Sequence, residues 1–387
     1  MKTRGGLLVL VPALGAGLAV RLLGLYQGYP ELYGHVDETG VAASVWNFFR
    51  AGTLRPTEFT YPALFSYLTA ARIWLSAAAG LAPESLTGLT RSIAFLSYVD
   101  PAWAALVGRA LSALLSTATI GLTYQIGCEI GGRRVGALAA VFLAAAVIPV
   151  RQAHMALPDS AMAFFAALCF LFSCQAYRAG RWTSYLGAGV AAGLVLATKH
   201  NGAFSALALV AAHLARSRQA GEGLARAWRS PRLWASGVAA AVAAAAASPY
   251  LLLAADRYLA VARYQVSSLD FTLVHTTPWW WLVRASVATE FAVGALMWVG
   301  LALAVRRRDP HDWLVLAVVA PSFAYIGSWT RESLHYVLHL YPLLLVAAAR
   351  AVEALAAWLA SRWPGGRAPL AGAAPWVAAG LLTVPNA

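Results

Sequence analysis

The stretch GLLVLVPALGAGLAVRLLGLYQGYPELYGHVDETG, residues 6–40, decides the class of fold to which this chain belongs. Its first part, 6–26, is an apolar run of the length that a helix needs to cross a bilayer. The run lacks the small-residue cleavage site of a removed signal peptide, so we expect it to remain as an anchor. Two adjacent acids, Asp37 and Glu38, follow it. In a chain that is 60% hydrophobic and 12% charged, such a pair can attract cations, relay protons or deprotonate a hydroxyl.

Further apolar runs continue along the rest of the chain. We predict spans at 6–26, 110–127, 135–150, 159–177, 183–198, 201–215, 233–254, 282–305, 313–329 and 335–359, with a weaker eleventh at 369–384. Lipid cannot satisfy the backbone groups of an open strand, so these spans must be helical. The sequence therefore predicts an all-α polytopic membrane protein. We expect one domain over 1–387, comprising a first span in 1–26, an extracytoplasmic loop in 27–109, a transmembrane bundle in 110–359 and a tail in 360–387.

The basic residues predict which way this bundle faces. With the N-terminus inside, 17 of the 29 Lys and Arg residues fall on the cytoplasmic side, and the short outer turns hold fewer of them. This is the positive-inside pattern. The net charge of +13 then reflects topology and contact with anionic lipids, while nucleic-acid binding is disfavoured because no soluble fold carries a basic face. We expect a multi-pass protein of the inner membrane with a cytoplasmic N-terminus.

Acids and histidines show the opposite bias. Those on the outer side are Asp37, Glu38, Glu58, Glu84, Asp100, Asp159, Asp256, Asp270, Glu332, His35, His154, His200, His275 and His335. The polar chemistry of the protein therefore faces away from the cytoplasm. The three cysteines, Cys128, Cys169 and Cys174, lie in spans or at their cytoplasmic ends without metal-ligand spacing, and the sequence leaves any metal requirement open.

The long loop 27–109 contains two helical patterns. Residues 41–50 have helical periodicity and end at Gly52, whereas 53–60 look extended because Pro56 breaks a helix. The apolar stretch 63–79 suits an amphipathic helix on the outer leaflet. If 63–79 crossed the membrane instead, every later turn would be inverted and the positive-inside pattern would be lost.

Four outer segments supply candidate functional groups. They are Asp37 with Glu38, His154 with Asp159, Lys199 with His200, and Arg331 with His335 and Tyr336. Each segment also has a non-functional explanation: in order, solvated acids, an acid at a helix N-terminus, a snorkelling lysine and a surface ion pair. Their convergence on one side of the membrane favours one pocket with a base and an anion clamp. A transport path would place its charges near the midplane, where Glu290 and Arg284 are candidates.

The order and spacing of several motifs resemble the membrane-embedded GT-C glycosyltransferases. Within them, the chain is similar to the protein-O-mannosyltransferase-like group, family 39, and its aminoarabinose-transferase relatives. The motifs are Asp37-Glu38, Gly52, Tyr61-Pro62-Ala63-Leu64, Tyr67-Leu68, Arg109 to Leu114, Arg151 to Asp159, Gly193-Leu194, Ala197-Thr198-Lys199 and His335 to Pro342. The resemblance covers about residues 30–345. The family's Pro-Pro after the tyrosine is Pro62-Ala63 here.

This resemblance implies a GT-C-type bundle of about 10–11 transmembrane helices with a helical first outer loop. It also implies an inverting transfer of a hexosyl or pentosyl group from a polyprenyl-phosphate donor to an acceptor hydroxyl outside the cytoplasm. The acceptor is a protein, a lipid or another glycan. By the motif match, Asp37 is the general base and Glu38 supports it or helps to bind the acceptor.

The remaining residues of the match are expected to bind substrate. These are Tyr61, His154, Asp159, Lys199, His200, Arg331, His335 and Tyr336, of which Lys199 and Arg331 are the candidates for the leaving phosphate. An alternative function is a transporter or lipid flippase whose outer charges form a gate. A noncatalytic scaffold fits the hydrophobicity but leaves the one-sided acids and histidines unexplained.

Overall fold

The structure of the protein, a computed structural model, describes residues 4–30, 34–78, 89–268, 279–329 and 332–362. The α-helices of these residues, numbered α1 to α16 in chain order, are Arg4–Leu22, Glu38–Arg50, Leu64–Ala78, Leu89–Val99, Trp103–Ala145, Val147–Ala153, Asp159–Ala179, Trp182–Leu196, Leu207–Gln219, Leu224–Trp228, Pro231–Ala247, Tyr250–Leu253, Ala255–Ser268, Trp280–Arg307, Pro310–Gly327 and Tyr341–Arg362. The 3-10 helices His200–Ala206 and Leu334–Leu340 precede α9 and α16. No strand occurs in the described ranges, and the all-α prediction is confirmed.

Several helices have the length and composition of membrane spans. Among the residues that the structure describes, four helices meet both criteria: Trp103–Ala145, Asp159–Ala179, Trp280–Arg307 and Leu334–Arg362. Leu8–Leu22 and Trp182–Leu196 are apolar but shorter. The predicted span 233–254 is interrupted between α11 and α12, and the predicted span 369–384 lies outside the described residues.

The predicted span 110–127 and most of the predicted span 135–150 form a helical hairpin within α5, but the second span is interrupted at Ala146, where the extended backbone separates α5 from α6. The helix is broken at Gly132, whose φ of 84° is a conformation that glycine adopts without a steric penalty. Beyond the break, Gly136 lies so close to Gly127 that a Cβ on Gly127 would stand 2.5 Å from the Gly136 Cα. Small residues let two helix backbones approach in this way. The two spans are therefore separate helices joined at a sharp turn, as the sequence predicts.

The predicted span 282–305 is not one straight helix. It is broken at Phe291, which has a φ of 52°. The indole nitrogen of Trp298 donates a hydrogen bond to Ser286 Oγ at 2.8 Å, so the part before the break folds back on the part after it. At the break, the buried carboxylate of Glu290 accepts hydrogen bonds from the N–H groups of Val147 and Ile148 at 2.8 and 2.9 Å. Glu290 thus caps the start of α6.

The described residues of the loop 27–109 are largely helical, as predicted. Its helices α2, α3 and α4 share an apolar core of buried side chains that includes Val45, Trp46, Phe65 and Ile73. The same core contains Ala104 of α5 and Ala161 of α7. These helices are therefore packed against the bundle, and this packing fixes the position of the α2 N-terminus, where the acid pair lies.

We predict that Gly127→Ala destabilises the protein. The added methyl group would collide with the Gly136 backbone, and overpacking of this kind costs about 1–3 kcal/mol. Gly121→Ala is a matched control on the same helix, because nothing lies within 4 Å of a Cβ at that position. Thermal unfolding in detergent should show a lower midpoint for Gly127→Ala and an unchanged or slightly higher one for Gly121→Ala. Equal midpoints would contradict the close hairpin.

Candidate active site

Asp37 and Glu38 face different surroundings although they are adjacent. Asp37 immediately precedes α2, and Glu38 is its first residue. Neighbouring residues of a helix project about 100° apart, so one carboxylate can turn inward while the other turns outward. The side chain of Glu38 is fully buried, whereas that of Asp37 is 37% exposed. The pair therefore divides into one enclosed acid and one accessible acid.

Glu38 is held by an extensive set of hydrogen bonds. Arg109 Nε donates to Oε1 at 2.9 Å and an Arg109 terminal nitrogen donates to Oε2 at 2.8 Å, which is a bidentate buried ion pair. The N–H groups of Gly34, His35 and Ala156 also donate to this carboxylate, at 2.6, 3.2 and 2.6 Å. Both oxygens of Glu38 are thus fully engaged.

The Glu38–Arg109 pair joins four parts of the chain. The remaining Arg109 nitrogen donates to the carbonyls of Leu25 and Gln27 at 2.9 and 2.8 Å. One cluster therefore ties the end of the first span, the start of α2, the buried face of α5 and the turn at Ala156. Burial raises the pKa of Glu38, but the hydrogen bonds from Arg109 and the backbone outweigh it, so this pKa lies below its usual value.

Asp37 keeps one oxygen accessible. Tyr61 donates its hydroxyl proton to Asp37 Oδ2 at 2.8 Å. Burial, together with the carboxylates of Asp159 and Asp37, raises the pKa of Tyr61, so the phenol stays protonated and acts as a donor. Asp37 Oδ1 accepts no hydrogen bond from the described residues. The arrangement fixes the carboxylate by one oxygen and leaves the other free to accept a proton.

A second buried ion pair lies behind Tyr61. Lys199 Nζ contacts both oxygens of Asp159 at 2.8 and 2.9 Å, and both side chains are buried. The same ammonium lies 4.8 Å from the centre of the Tyr61 ring and 5.7 Å from that of Tyr336, within the range of a cation–π contact. The Asp159–Lys199 pair therefore orients Tyr61, and Tyr61 in turn orients Asp37.

A cavity of about 420 Å³ reaches His35, whose ring nitrogen Nδ1 is 3.8 Å from Asp37 Oδ2. His35 and His335 line it, together with Arg151, Arg284 and Glu332. Neither Arg151 nor Arg284 forms an ion pair with any carboxylate of the described residues. Two unpaired guanidinium groups outnumber one carboxylate, so the cavity favours an anionic ligand.

The other predicted site residues are placed as follows. The His154 ring turns toward α1, where Nε2 lies 3.0 Å from the Val20 carbonyl, and His200 is exposed. The His335 ring stands edge-on to that of His35, with 6.3 Å between ring centres. The Tyr336 carbonyl accepts a hydrogen bond from Asn201 at 2.7 Å. Arg331 lies outside the described residues.

Sequence reasoning gave no role to several groups that the structure brings into the site. The sequence analysis names Arg109 only as part of a family motif. A charged residue inside an apolar span nevertheless indicates a specific partner. Arg284 was considered only for a transport path, and Arg151 only as the first residue of a motif in the match. In the described part of the chain, no three His, Cys, Asp or Glu side chains are grouped to hold a metal ion.

Comparison with known proteins places this chain in a family. The family model for dolichyl-phosphate-mannose-protein mannosyltransferase matches residues 59–272, which begin after the acid pair and include Tyr61, Arg109 and Lys199. The fold is similar to that of ArnT from Cupriavidus metallidurans bound to undecaprenyl phosphate, with a TM-score of 0.62 and 18% identity over 92% of this chain and 64% of that one.

The fold is also similar to that of the archaeal oligosaccharyltransferase AglB from Archaeoglobus fulgidus in complex with an inhibitory peptide and a dolichol-phosphate. That match has a TM-score of 0.61 and 13% identity, and it covers 100% of this chain and 55% of AglB. The chain thus spans less than two thirds of the length of either protein. No curated protein sequence matched it. The matches confirm the GT-C fold and a multi-pass membrane protein.

We predict that Glu38→Gln strongly destabilises the fold at neutral pH. The change leaves Arg109 buried without its counter-charge, and breaking a buried pair costs about 3–5 kcal/mol. Because the pKa of Glu38 is lowered on folding, its stabilising contribution is complete above the ordinary pKa of about 4.5 and is lost as the pH falls below it.

Thermal unfolding in detergent at pH 7 and at about pH 4 checks this prediction. The gap between wild type and Glu38→Gln should be large at pH 7 and smaller in acid. Asp37→Asn, one position away, is the matched control and should unfold near the wild-type temperature, since an amide oxygen still accepts the Tyr61 hydroxyl. A small gap at pH 7 would show that the Glu38–Arg109 pair does not brace the fold.

Proposed function

The chain belongs to the dolichyl-phosphate-mannose-protein mannosyltransferase family. We propose that it is a GT-C glycosyltransferase, which transfers a sugar from a polyprenyl-phosphate donor to an acceptor hydroxyl with inversion. One observation carries the proposal. The partly exposed carboxylate of Asp37, fixed by Tyr61, lies 3.8 Å from the ring of His35, and His35 lines a cavity that holds two unpaired guanidinium groups. A base and a cationic clamp at adjacent positions are the two groups that such a displacement needs.

Asp37 is the proposed general base. Proton transfer requires an acceptor oxygen that the substrate can reach, and Asp37 Oδ1 has no partner among the described residues. Glu38 cannot take this part, because its two oxygens accept five hydrogen bonds in a fully buried setting. We therefore assign Glu38 the supporting role, in which it holds the start of α2 and so places Asp37.

Arg151 and Arg284 are the proposed ligands of the donor phosphate. The departing phosphate gains negative charge as the bond to the anomeric carbon breaks, and guanidinium groups stabilise that charge through paired hydrogen bonds. The undecaprenyl phosphate of ArnT and the dolichol-phosphate of AglB support a polyprenyl-phosphate carrier. The sequence also predicts Lys199 and Arg331 for this role, but Lys199 would first have to be released by Asp159.

The rest of the proposal concerns topology and the acceptor. The positive-inside pattern supports a cytoplasmic N-terminus and an extracytoplasmic site, with 1–387 as one membrane domain. The donor group is a hexosyl or pentosyl unit, and the acceptor hydroxyl belongs to a protein, a lipid or a glycan. The transporter alternative loses its main candidate, because Glu290 is occupied as the cap of α6.

We predict that Asp37→Asn abolishes transfer while the protein still folds. General-base catalysis contributes about 10²–10⁴-fold, so the rate of transfer from a synthetic polyprenyl-phosphate sugar should fall by at least about 100-fold. Asp256→Asn is a matched control, because Asp256 is an exposed acid on the outer helix α13. Wild-type activity of Asp37→Asn, with an intact unfolding transition, would contradict the proposed function.

A further inference from the structure

Gln152 is a buried polar side chain to which the proposed function gives no role. It follows Arg151 directly on α6 and is 5% exposed. Its Oε1 atom is enclosed and has no hydrogen-bond partner among the described residues. Within the same residues, no group accepts a hydrogen bond from its Nε2, and this atom is not enclosed. A buried carboxamide without partners is costly, so its presence requires an explanation.

The helical period of α6 turns Gln152 toward the cavity. Ile148, Arg151 and Gln152 all line the cavity, and their spacing of three and four residues places them on one face of the helix. The facing wall contains Trp281 and Ala288 of α14, which are seven residues apart and so also share a face. The carboxamide therefore lies on the wall of the cavity, and Nε2 is its open atom.

A carboxamide is suited to a neutral hydroxyl group. Nε2 presents two donors, and a half-turn of the amide presents the acceptor Oε1 in its place. A hydroxyl group both donates and accepts hydrogen bonds, so it can pair with either atom. A phosphate offers acceptors and negative charge, and the guanidinium groups of Arg151 and Arg284 match it better. Gln152 thus fits a part of the donor other than the phosphate.

The cavity has room for that part. Its volume of about 420 Å³ lies in the range of sites that hold a whole small molecule. In the proposed donor the sugar is bonded directly to the phosphate. A phosphate held by Arg151 therefore brings the sugar next to the following residue of the same helical turn. Trp281, Ala285 and Ala288 supply apolar wall against which the C–H groups of a sugar ring can pack.

We propose that Gln152 binds a hydroxyl group of the transferred sugar and so takes part in the choice of donor, an inference that rests on the proposed function. The hydroxyl group supplies the partner that the carboxamide lacks. Gln152 makes and breaks no covalent bond. It discriminates because a sugar without that hydroxyl group leaves the buried amide unpaired, and a site built to pair with a hydroxyl rejects such an analogue.

The first test measures ligand binding to the full-length Gln152→Leu variant in detergent by titration calorimetry. The ligands are synthetic polyprenyl phosphate and the same lipid phosphate carrying mannose, glucose or arabinose. We expect the variant to bind the preferred sugar-bearing lipid about three- to tenfold more weakly, because one neutral hydrogen bond is lost. Its affinity for bare polyprenyl phosphate should be unchanged, whereas Arg151→Gln should weaken both. Gln125→Leu, the same exchange at an exposed position of α5, is the matched control.

The second test identifies the hydroxyl group. Monodeoxy analogues of the preferred donor each lack one hydroxyl. Wild type should bind one of these analogues about three- to tenfold more weakly than the parent donor. Gln152→Leu should bind that analogue and the parent equally well. This loss of discrimination at a single position is a result that a general disturbance of the cavity would not produce.

Thermal unfolding separates this role from a structural one. Leucine in place of an unpartnered buried amide should leave the unfolding midpoint unchanged or raise it. A lower midpoint with equally weakened binding of both lipids would indicate a structural role and overturn the inference. Wild-type affinities of Gln152→Leu, or a variant that still discriminates against the same deoxy analogue, would also overturn it. If Arg151→Gln binds polyprenyl phosphate normally, the phosphate site of the proposed function fails, and this inference fails with it.

Discussion

The buried ion pair between Glu38 and Arg109 is the interaction on which the site depends. Removing two charges from water is costly, and their attraction repays that cost only when the geometry is good and the remaining polar atoms are bonded. Both conditions hold here, because Arg109 contacts both oxygens of Glu38 and also binds two backbone carbonyls. The pair draws the loop after the first span, α2 and the turn at Ala156 onto one face of α5.

Because of this ion pair, the adjacent carboxylates of Asp37 and Glu38 differ in their exposure. Glu38 is enclosed and remains charged, whereas the side chain of Asp37, at the edge of the same cluster, is partly exposed. A second buried pair, Asp159–Lys199, acts at longer range by holding the Tyr61 ring, and Tyr61 donates to Asp37. Charged groups within a membrane bundle are expensive and are usually paired, so both pairs fit a site that is fixed before substrate arrives.

Local patterns predicted much of this fold, because apolar length and charge asymmetry are local in sequence. The helices in the described part of 27–109 and the hairpin around Gly132 both followed from them. Long-range pairings did not. Arg109 and Glu38 are 71 residues apart, and the sequence around either residue does not indicate that the other is its partner. The break at Phe291 was missed because neither glycine nor proline marks it, and the pairing of Lys199 with Asp159 made the lysine less available than its position suggested.

An experimental structure of the Asp37→Asn variant with a polyprenyl-phosphate sugar bound tests the assignment of Asp37 most directly. The proposed mechanism predicts that the phosphate lies between Arg151 and Arg284. It also predicts that the anomeric carbon faces position 37, with room for one acceptor oxygen between them. A phosphate bound elsewhere, or a sugar whose anomeric carbon points away from position 37, would contradict the assignment of Asp37 as the base.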